Sequence, residues 1–420
     1  MLVAISMVCA YLYTSLSTPV SPESTPPSED STPTIVPPTV THTAFPKLPL
    51  LNPTSDVEYV IGLSGSGEDR VLQLFNFGDY IYAFGETDSF DHDFSATQKS
   101  VFIAKLTLTG TLLSVKLIQH EVFLSAKVLP SEIAVLSSGQ EETTLSVFDL
   151  DLCPISSFDL PFASNVGALS LGENSLYALA SGKNHAVAKY DFVSKTFGVG
   201  TLGVNILDIV AFEYIVSPYF VANTPNGAVL GRVSDDLTAT CTTLSGISHA
   251  DSAVPSLDNK LSFTVSGTTG GKSVVYSFFA DGNYSWGKEF FSSNETYLIK
   301  TVDGYLFFAS DGTSSTCLRL CSHGDVIDEC ILSLTGLMPV DFYYDNTGIT
   351  TLFLSSLAQK KSVIATVDGA YNAQLLYEFS ATPHSFVPLI DGIAIAVTAN
   401  SSGSLFEVLG VSDGYIVKVK

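Results

Sequence analysis

An all-β fold, a β-propeller of eight four-stranded blades closed by its own N-terminal strand, is what this sequence predicts. Three observations carry it. From Asp56 to the end of the chain, apolar stretches of about six to nine residues alternate with turn residues, the mark of short antiparallel strands. Two series of turns share one period there, stepping by about 39–53 residues and mostly near 44, within the range of four-stranded blades. No window shows the 3.6-residue periodicity of an amphipathic helix.

Composition agrees with this. The 420 residues are 46% hydrophobic and only 15% charged, so the body buries much apolar surface and is not disordered. Val, Ile, Phe, Tyr, Ser and Thr dominate, which suits pleated, half-buried surfaces. The net charge of −23 reflects 19 Lys+Arg against 42 Asp+Glu. A surface of that sign repels phosphate backbones and anionic membranes, which excludes nucleic acid as a partner. Aspartates acting as turn residues account for much of the acidity; Ca²⁺ or a cationic partner is the functional alternative.

Leu2 to Leu16 is almost wholly apolar. At about 15 residues it is shorter than the 17–25 of a spanning helix and close to a signal-peptide core. No Lys or Arg precedes Lys47, so the usual basic flank is missing. Residues 1–17 are expected to be a signal peptide or membrane anchor, and the protein to be exported and extracellular or at the cell surface. Residues 18–55 hold ten of the 19 prolines among Ser and Thr. Proline removes backbone donors and favours extended polyproline II, so this segment reads as a disordered stalk. Membrane contact is expected only through the N-terminal segment.

Residues 56–420 are the propeller. Its first unit runs Arg70–Phe77, a turn at Gly78-Asp79, Tyr80–Gly85, an acidic loop, Ser100–Leu108, a turn at Thr109-Gly110, and Thr111–Ile118. The turn between first and second strands recurs at Pro130-Ser131, Glu173-Asn174, Asp258-Asn259, Asp303-Gly304, Thr347-Gly348 and Asp391-Gly392, more weakly near Glu213. The turn between third and fourth strands recurs at Asp151, Ser194-Lys195, Asp235-Asp236, Asp281-Gly282, His323-Gly324 and Asp368-Gly369. Counting gives eight units, or seven if the weak one near 204–246 is removed.

The chain end bears on closure. Asp391–Thr398 aligns without a gap to Gly78–Gly85, and the same offset lays Tyr415–Lys418 on Phe102–Lys105. In that register the chain stops on a third strand, and Val57–Gly62 supplies the missing fourth. A ring so closed has no open sheet edge and is expected to be monomeric. In the rival register a third strand at 405–411 and a fourth at 415–420 complete the last blade without it.

Gly65–Asp69, Asp79–Ser89 and Val101–Gly110 resemble the repeats of secreted bacterial β-propellers, the SBBP family. In these a glycine-rich turn, a "G-x-x-Y-x-x-G" strand and an "F-x-x-K" strand recur in each blade. The likeness covers 62–116 well and 384–420 in part. It implies a propeller on an exported or surface protein and supplies no catalytic residues.

Candidate sites are few. Asp88, Asp91 and Asp93, with His92, form an oxygen-rich loop able by ligand type to hold Ca²⁺, though it lacks the glycine and closing glutamate of an EF-hand; a solvated acidic loop is the plainer reading. No other cofactor is implied. Counting back from a two-residue turn at His323-Gly324 sets Cys317 opposite Cys330, so a cross-strand disulfide or two buried thiols are both open. Cys317 and Cys321, four apart on a strand, lie about 13 Å apart and cannot share a zinc ion. Asp208, Asp251 and Asp341, near first-strand ends, are candidates for a channel mouth. Trp286 is either a sugar platform or a packing residue. No serine-hydrolase elbow, Walker loop or His-Glu-x-x-His occurs. The reading that follows is a non-enzymatic binding or scaffold module for a protein or glycan. The alternatives are a hydrolase or lyase with carboxylates at the channel mouth, and a purely structural surface protein.

Overall fold

The computed structural model describes residues 57–419, apart from 121, 183, 258–261, 331–336, 345–349, 357–360, 368–372, 380, 401–405, 407 and 410. The signal or anchor segment, the stalk and the Asp258-Asn259, Thr347-Gly348 and Asp368-Gly369 turns lie wholly or mostly outside these. The described residues form eight four-stranded antiparallel sheets and no helix. Blade 1 comprises Asp69–Phe77, Tyr80–Thr87, Ser100–Thr107 and Leu112–Ile118. Blades 2 to 7 span 122–160, 164–201, 208–243, 249–292, 295–330 and 338–379. The unit near 204–246 is therefore a blade, and the count is eight. Each first strand packs beside the first strand of the next blade, and the last returns to the first, so the blades stand in a closed ring around a channel.

Blade 8 closes that ring. It comprises Thr382–Leu389, Gly392–Ala399 and Asp413–Val419, with Val57–Leu63 as its fourth strand. The pairing runs from Val57 opposite Val419 to Leu63 opposite Gly414. The rival register is excluded, because Tyr415–Lys418 lies on a third strand. Strand order then fixes two faces. First strands begin and second strands end on the upper face; among the described residues the turns joining first to second and third to fourth strands lie on the lower face, as do Val57 and Val419.

The core lies between blades rather than inside them. Tyr82, Phe84 and Ile103 of blade 1 pack on Ile133, Val135 and Phe148 of blade 2. Val71, Ala83 and Phe102 pack on Ala394, Ala396 and Ile416 of blade 8 across the closure. Neighbouring sheets thus bury each other's alternating apolar faces, as a blade alone cannot.

The two repeat motifs meet across a strand pair. Tyr82 lies opposite Lys105, Tyr177 opposite Lys189, and Tyr219 opposite Arg232. Lys105 Nζ sits 4.2 Å from the Tyr80 ring centre, Lys189 5.6 Å from Tyr177, and the Arg232 guanidinium 5.9 Å from Tyr219. Each cation thus stands over an aromatic face, and Arg232 Nε also donates to Ser217 Oγ at 3.1 Å. Lys105 bonds Asp151 of blade 2 at 2.6 Å; Lys418 of blade 8 holds Glu58 at 2.9 Å and Asp391 at 2.8 Å.

Among the described residues the turn between third and fourth strands is one residue longer than a two-residue hairpin in blades 1, 2, 4, 5 and 6, and two longer in blade 3. In blade 1, Thr107 N donates to Thr111 O and Gly110 N to Thr107 O, with Gly110 at φ +87°. The same left-handed position is Leu152, Lys195, Leu237, Gly282 and Gly324 in blades 2 to 6. A left-handed leucine costs about 1–2 kcal/mol. Leu152 and Leu237 are 5% and 8% exposed, so burial worth about 1.5–3 kcal/mol offsets it. Aspartates cap these turns: Asp191 Oδ1 accepts from Val193 N and Ser194 N, and Asp149 Oδ1 from Asp151 N and Cys153 N. Much of the negative charge is thus committed to turns.

Candidate functional site at the ring closure

The first strands carry a shared backbone device. Among the described residues, seven of the eight contain a register shift against the second strand, blade 6 being the exception. The extra residue is Leu72, Leu124, Asn165, Val210, Asp251, Val340 or His384, by the pairs on either side. A bulge re-aims a side chain without ending the strand, and such positions are over-represented beside functional sites. Here two of the seven are titratable, Asp251 and His384.

His384 faces a cavity of about 410 Å³ on the upper face, between blades 8 and 1. Its walls come from both sides of the closure: Glu68 and Arg70 before and within the first strand of blade 1, Thr382 and His384 in the first strand of blade 8, Thr398 and Asn400 at its second-strand end, and Val411 and Ser412 ahead of its third. The closure is stitched by Asp69 N donating to Ser412 O at 2.8 Å and Val411 N donating to Gly67 O at 2.9 Å. Arg70 pairs with Glu68 at 3.1 Å. His384 Nε2 lies 2.8 Å from Thr398 Oγ1, and burial, helped by the Arg70 charge, pushes the imidazole down to about 4. It is neutral at physiological pH.

Behind the cavity wall Asp69 and Asp413 are both fully buried. Thr87 Oγ1 donates to Asp69 Oδ1 at 2.5 Å and Ser89 Oγ to Oδ2 at 2.8 Å; Leu409 N donates to Asp413 Oδ2 at 2.6 Å. Burial raises Asp69 to about 6; the hydroxyl donors oppose the rise, and the Asp413 charge adds to it.

The acidic loop of blade 1 braces this corner. Asp93 Oδ2 accepts from Ser64 N at 3.2 Å, Asp91 Oδ1 from Ser66 N at 2.8 Å, and Asp88 Oδ1 from Glu68 N. Each carboxylate goes to a different amide of the Ser64–Glu68 turn. A Cβ on Gly67 would stand 1.9 Å from Asp88 Oδ1, so the glycine permits this approach. Among the described residues no group of three or more His, Cys, Asp or Glu is placed to hold a metal ion.

The channel-mouth aspartates divide. Asp208 is exposed at the start of blade 4. Asp251 accepts from Thr296 N at 3.0 Å and Thr296 Oγ1 at 2.8 Å, tying blade 5 to blade 6, with His249 Nε2 3.5 Å away. Burial raises its carboxyl, and the Asp208 charge adds to that. Asp341 Oδ2 accepts from Phe386 N at 3.1 Å and Ser385 Oγ at 3.3 Å, tying blade 7 to blade 8, and burial raises it too. Asp251 and Asp341 therefore each tie one blade to the next, while Asp208 is exposed and acts on Asp251 through its charge.

Cys317 does lie opposite Cys330, but by another route than a two-residue turn: the longer turn shifts the register by one and a bulge after Arg319 restores it. The side chain of Cys330 lies outside the described ones. Trp286 packs on the Gly324 turn of blade 6, 6.3 Å from the Tyr305 ring, and is a packing residue.

No protein-family model matches this chain, and no curated protein matches it. Solved structures do. The Dos1 propeller superposes with a TM-score of 0.57 at 8% identity, covering 86% of this chain and 95% of that one. The dihydro-heme d1 dehydrogenase NirN, solved with DHE, gives 0.51 at 10%, covering 80% and 83%. Identities so low carry the fold alone. The likeness of 62–116 to secreted repeats is shown at the level of the propeller, not of that family.

Proposed function

We propose that the protein is a non-enzymatic recognition scaffold that takes its ligand, a glycan or a protein, in the cavity between blades 8 and 1. The observation that carries this is the cavity lining. Its charged groups are already paired, Arg70 with Glu68, and its imidazole is neutral and bonded to Thr398. Such walls recognise by hydrogen bonding and are poorly poised to move protons. The orientation supports display: Val57 lies on the lower face and the cavity on the upper. A head tethered through residues 1–17 as signal or anchor and 18–55 as stalk would turn the cavity outward.

The test is a screen of the full chain against arrayed glycans and extracellular proteins, repeated with Arg70→Ala/His384→Ala. Binding lost in the double variant supports the reading; binding retained in full refutes it. A hydrolase or lyase is the second reading, favoured by the raised carboxyl of Asp251 beside Asp208. Turnover of a screened ligand, abolished by Asp251→Asn, would establish it instead.

A further inference from the structure

We propose that the cavity at the ring closure is a carbohydrate subsite for one or two neutral sugar rings; this rests on the recognition reading above and names its ligand class. The lining offers donors and acceptors whose charges cancel. Arg70 and Glu68 stand 3.1 Å apart, each side chain 45% exposed, so guanidinium and carboxylate present hydrogen-bonding edges without net charge. Thr382, Thr398 and Ser412 add hydroxyls and Asn400 an amide, groups that donate and accept at once. His384 adds a ring held neutral by its surroundings.

Sugar hydroxyls are likewise donor and acceptor together, so a mixed wall can satisfy several at once. A free carboxylate or ammonium ligand would have to break the Arg70–Glu68 pair and leave one member facing its own like charge. The apolar requirement is met at the rim, where Val411 is 66% exposed, a surface for the C–H face of a ring. Size agrees. About 410 Å³ lies near the lower end of ligand pockets, which run roughly 300–1,000 Å³, and suits one or two rings rather than a protein loop. The walls are also fixed before binding: Asp69–Ser412 and Val411–Gly67 backbone bonds hold both sides of the closure together. A preformed site loses less on binding a small polar ligand than a mobile one.

The experiment is ligand-observed NMR on the full chain with neutral hexoses, N-acetylhexosamines and their disaccharides, with glucuronate and glycine as charged probes. At least one neutral sugar should bind. Arg70→Met, Thr382→Val and Val411→Asp should each weaken it about tenfold, roughly 1.4 kcal/mol, with the thermal midpoint unchanged. Three changes at separate, exposed points keep the test independent of any one variant's folding. Glucuronate or glycine binding in preference to every neutral sugar overturns the proposal, as does sugar binding that ignores all three changes. If no sugar binds but a protein from the screen requires Arg70 and His384, the carbohydrate assignment fails and the recognition reading stands. If no ligand of either class depends on these residues, both fall.

Discussion

Replacing Asp69 with asparagine should stabilise the protein at neutral pH and destabilise it in acid. The carboxyl is fully buried, and its pKa rises from 3.8 to about 6. Because the folded value lies above the unfolded one, the native state binds this proton more tightly. The stability it contributes is present in full below about pH 4 and lost as the pH rises through 6. At about 1.4 kcal/mol per pKa unit, the buried anion costs roughly 3 kcal/mol above pH 7. Asparagine removes the charge and its repulsion from Asp413. It keeps one oxygen for Thr87 but places an amide where Ser89 now donates, a loss of about 1 kcal/mol. The net gain near pH 7.5 is therefore about 2 kcal/mol, and below pH 4 the variant should be about 1 kcal/mol weaker. The curves cross between. Urea unfolding followed by circular dichroism, in steps from pH 4 to 8, reads the difference directly. Asp251, Asp341, Glu213 and Glu295 are also raised, but they are common to both proteins and cancel. A variant weaker at pH 7.5, with a pH slope parallel to the parent's, would refute the reasoning.

Two further outcomes follow from the packing. Removing residues 1–56 should leave the thermal midpoint and monomeric elution unchanged. Extending the deletion through Leu63 bares the Asp413–Val419 edge and should give aggregates by size-exclusion chromatography; a stable monomer would show that the closing strand is dispensable. Lys105→Met and Asp151→Asn break the same bond from opposite ends, with side chains 8% and 83% exposed. The first should cost about 1–2 kcal/mol through lost ring contact, the second under about 0.5, since an exposed partner is screened. Equal losses in urea unfolding would place the energy in the ion pair instead.

Strand spacing made the blade number and the closing strand legible, because both are written in turn residues and alternating apolar ones. The alignment of Tyr415–Lys418 with Phe102–Lys105 was enough to place the chain end on a third strand. The bulges were not legible. They are a backbone device whose extra residue is Leu, Asn, Val, Asp or His, so no residue type marks them. The sites of the turns between third and fourth strands were legible but not their length: Thr109-Gly110, Asp281-Gly282 and His323-Gly324 mark the place, and nothing in Leu108, Ala280 or Ser322 marks the extra residue that precedes each pair. The cavity was the least visible feature. Its residues lie at 68–70, 382–384, 398–400 and 411–412, and only the closing of the ring brings them together. Of its members, Glu68 and Arg70 stand in the sequence as turn and strand residues of the first unit, and none of the others carries a mark of a site. Asp251 was singled out for its strand-end position; that it ties one blade to the next through Thr296 needed coordinates.

Val57 pairs with Val419, so the segment preceding the ring joins it at the lower end of the closing strand while the cavity opens above. Tension between a ligand held in that cavity and the preceding segment would run along the strand. The hydrogen bonds of an antiparallel pair lie across that direction and are loaded together in shear. Pulling on Val57 and Val419 as a pair would instead open the same seam bond by bond. The joint that completes the circle is thus stiffest along the line in which the head would be pulled if it is tethered and grips a ligand as proposed.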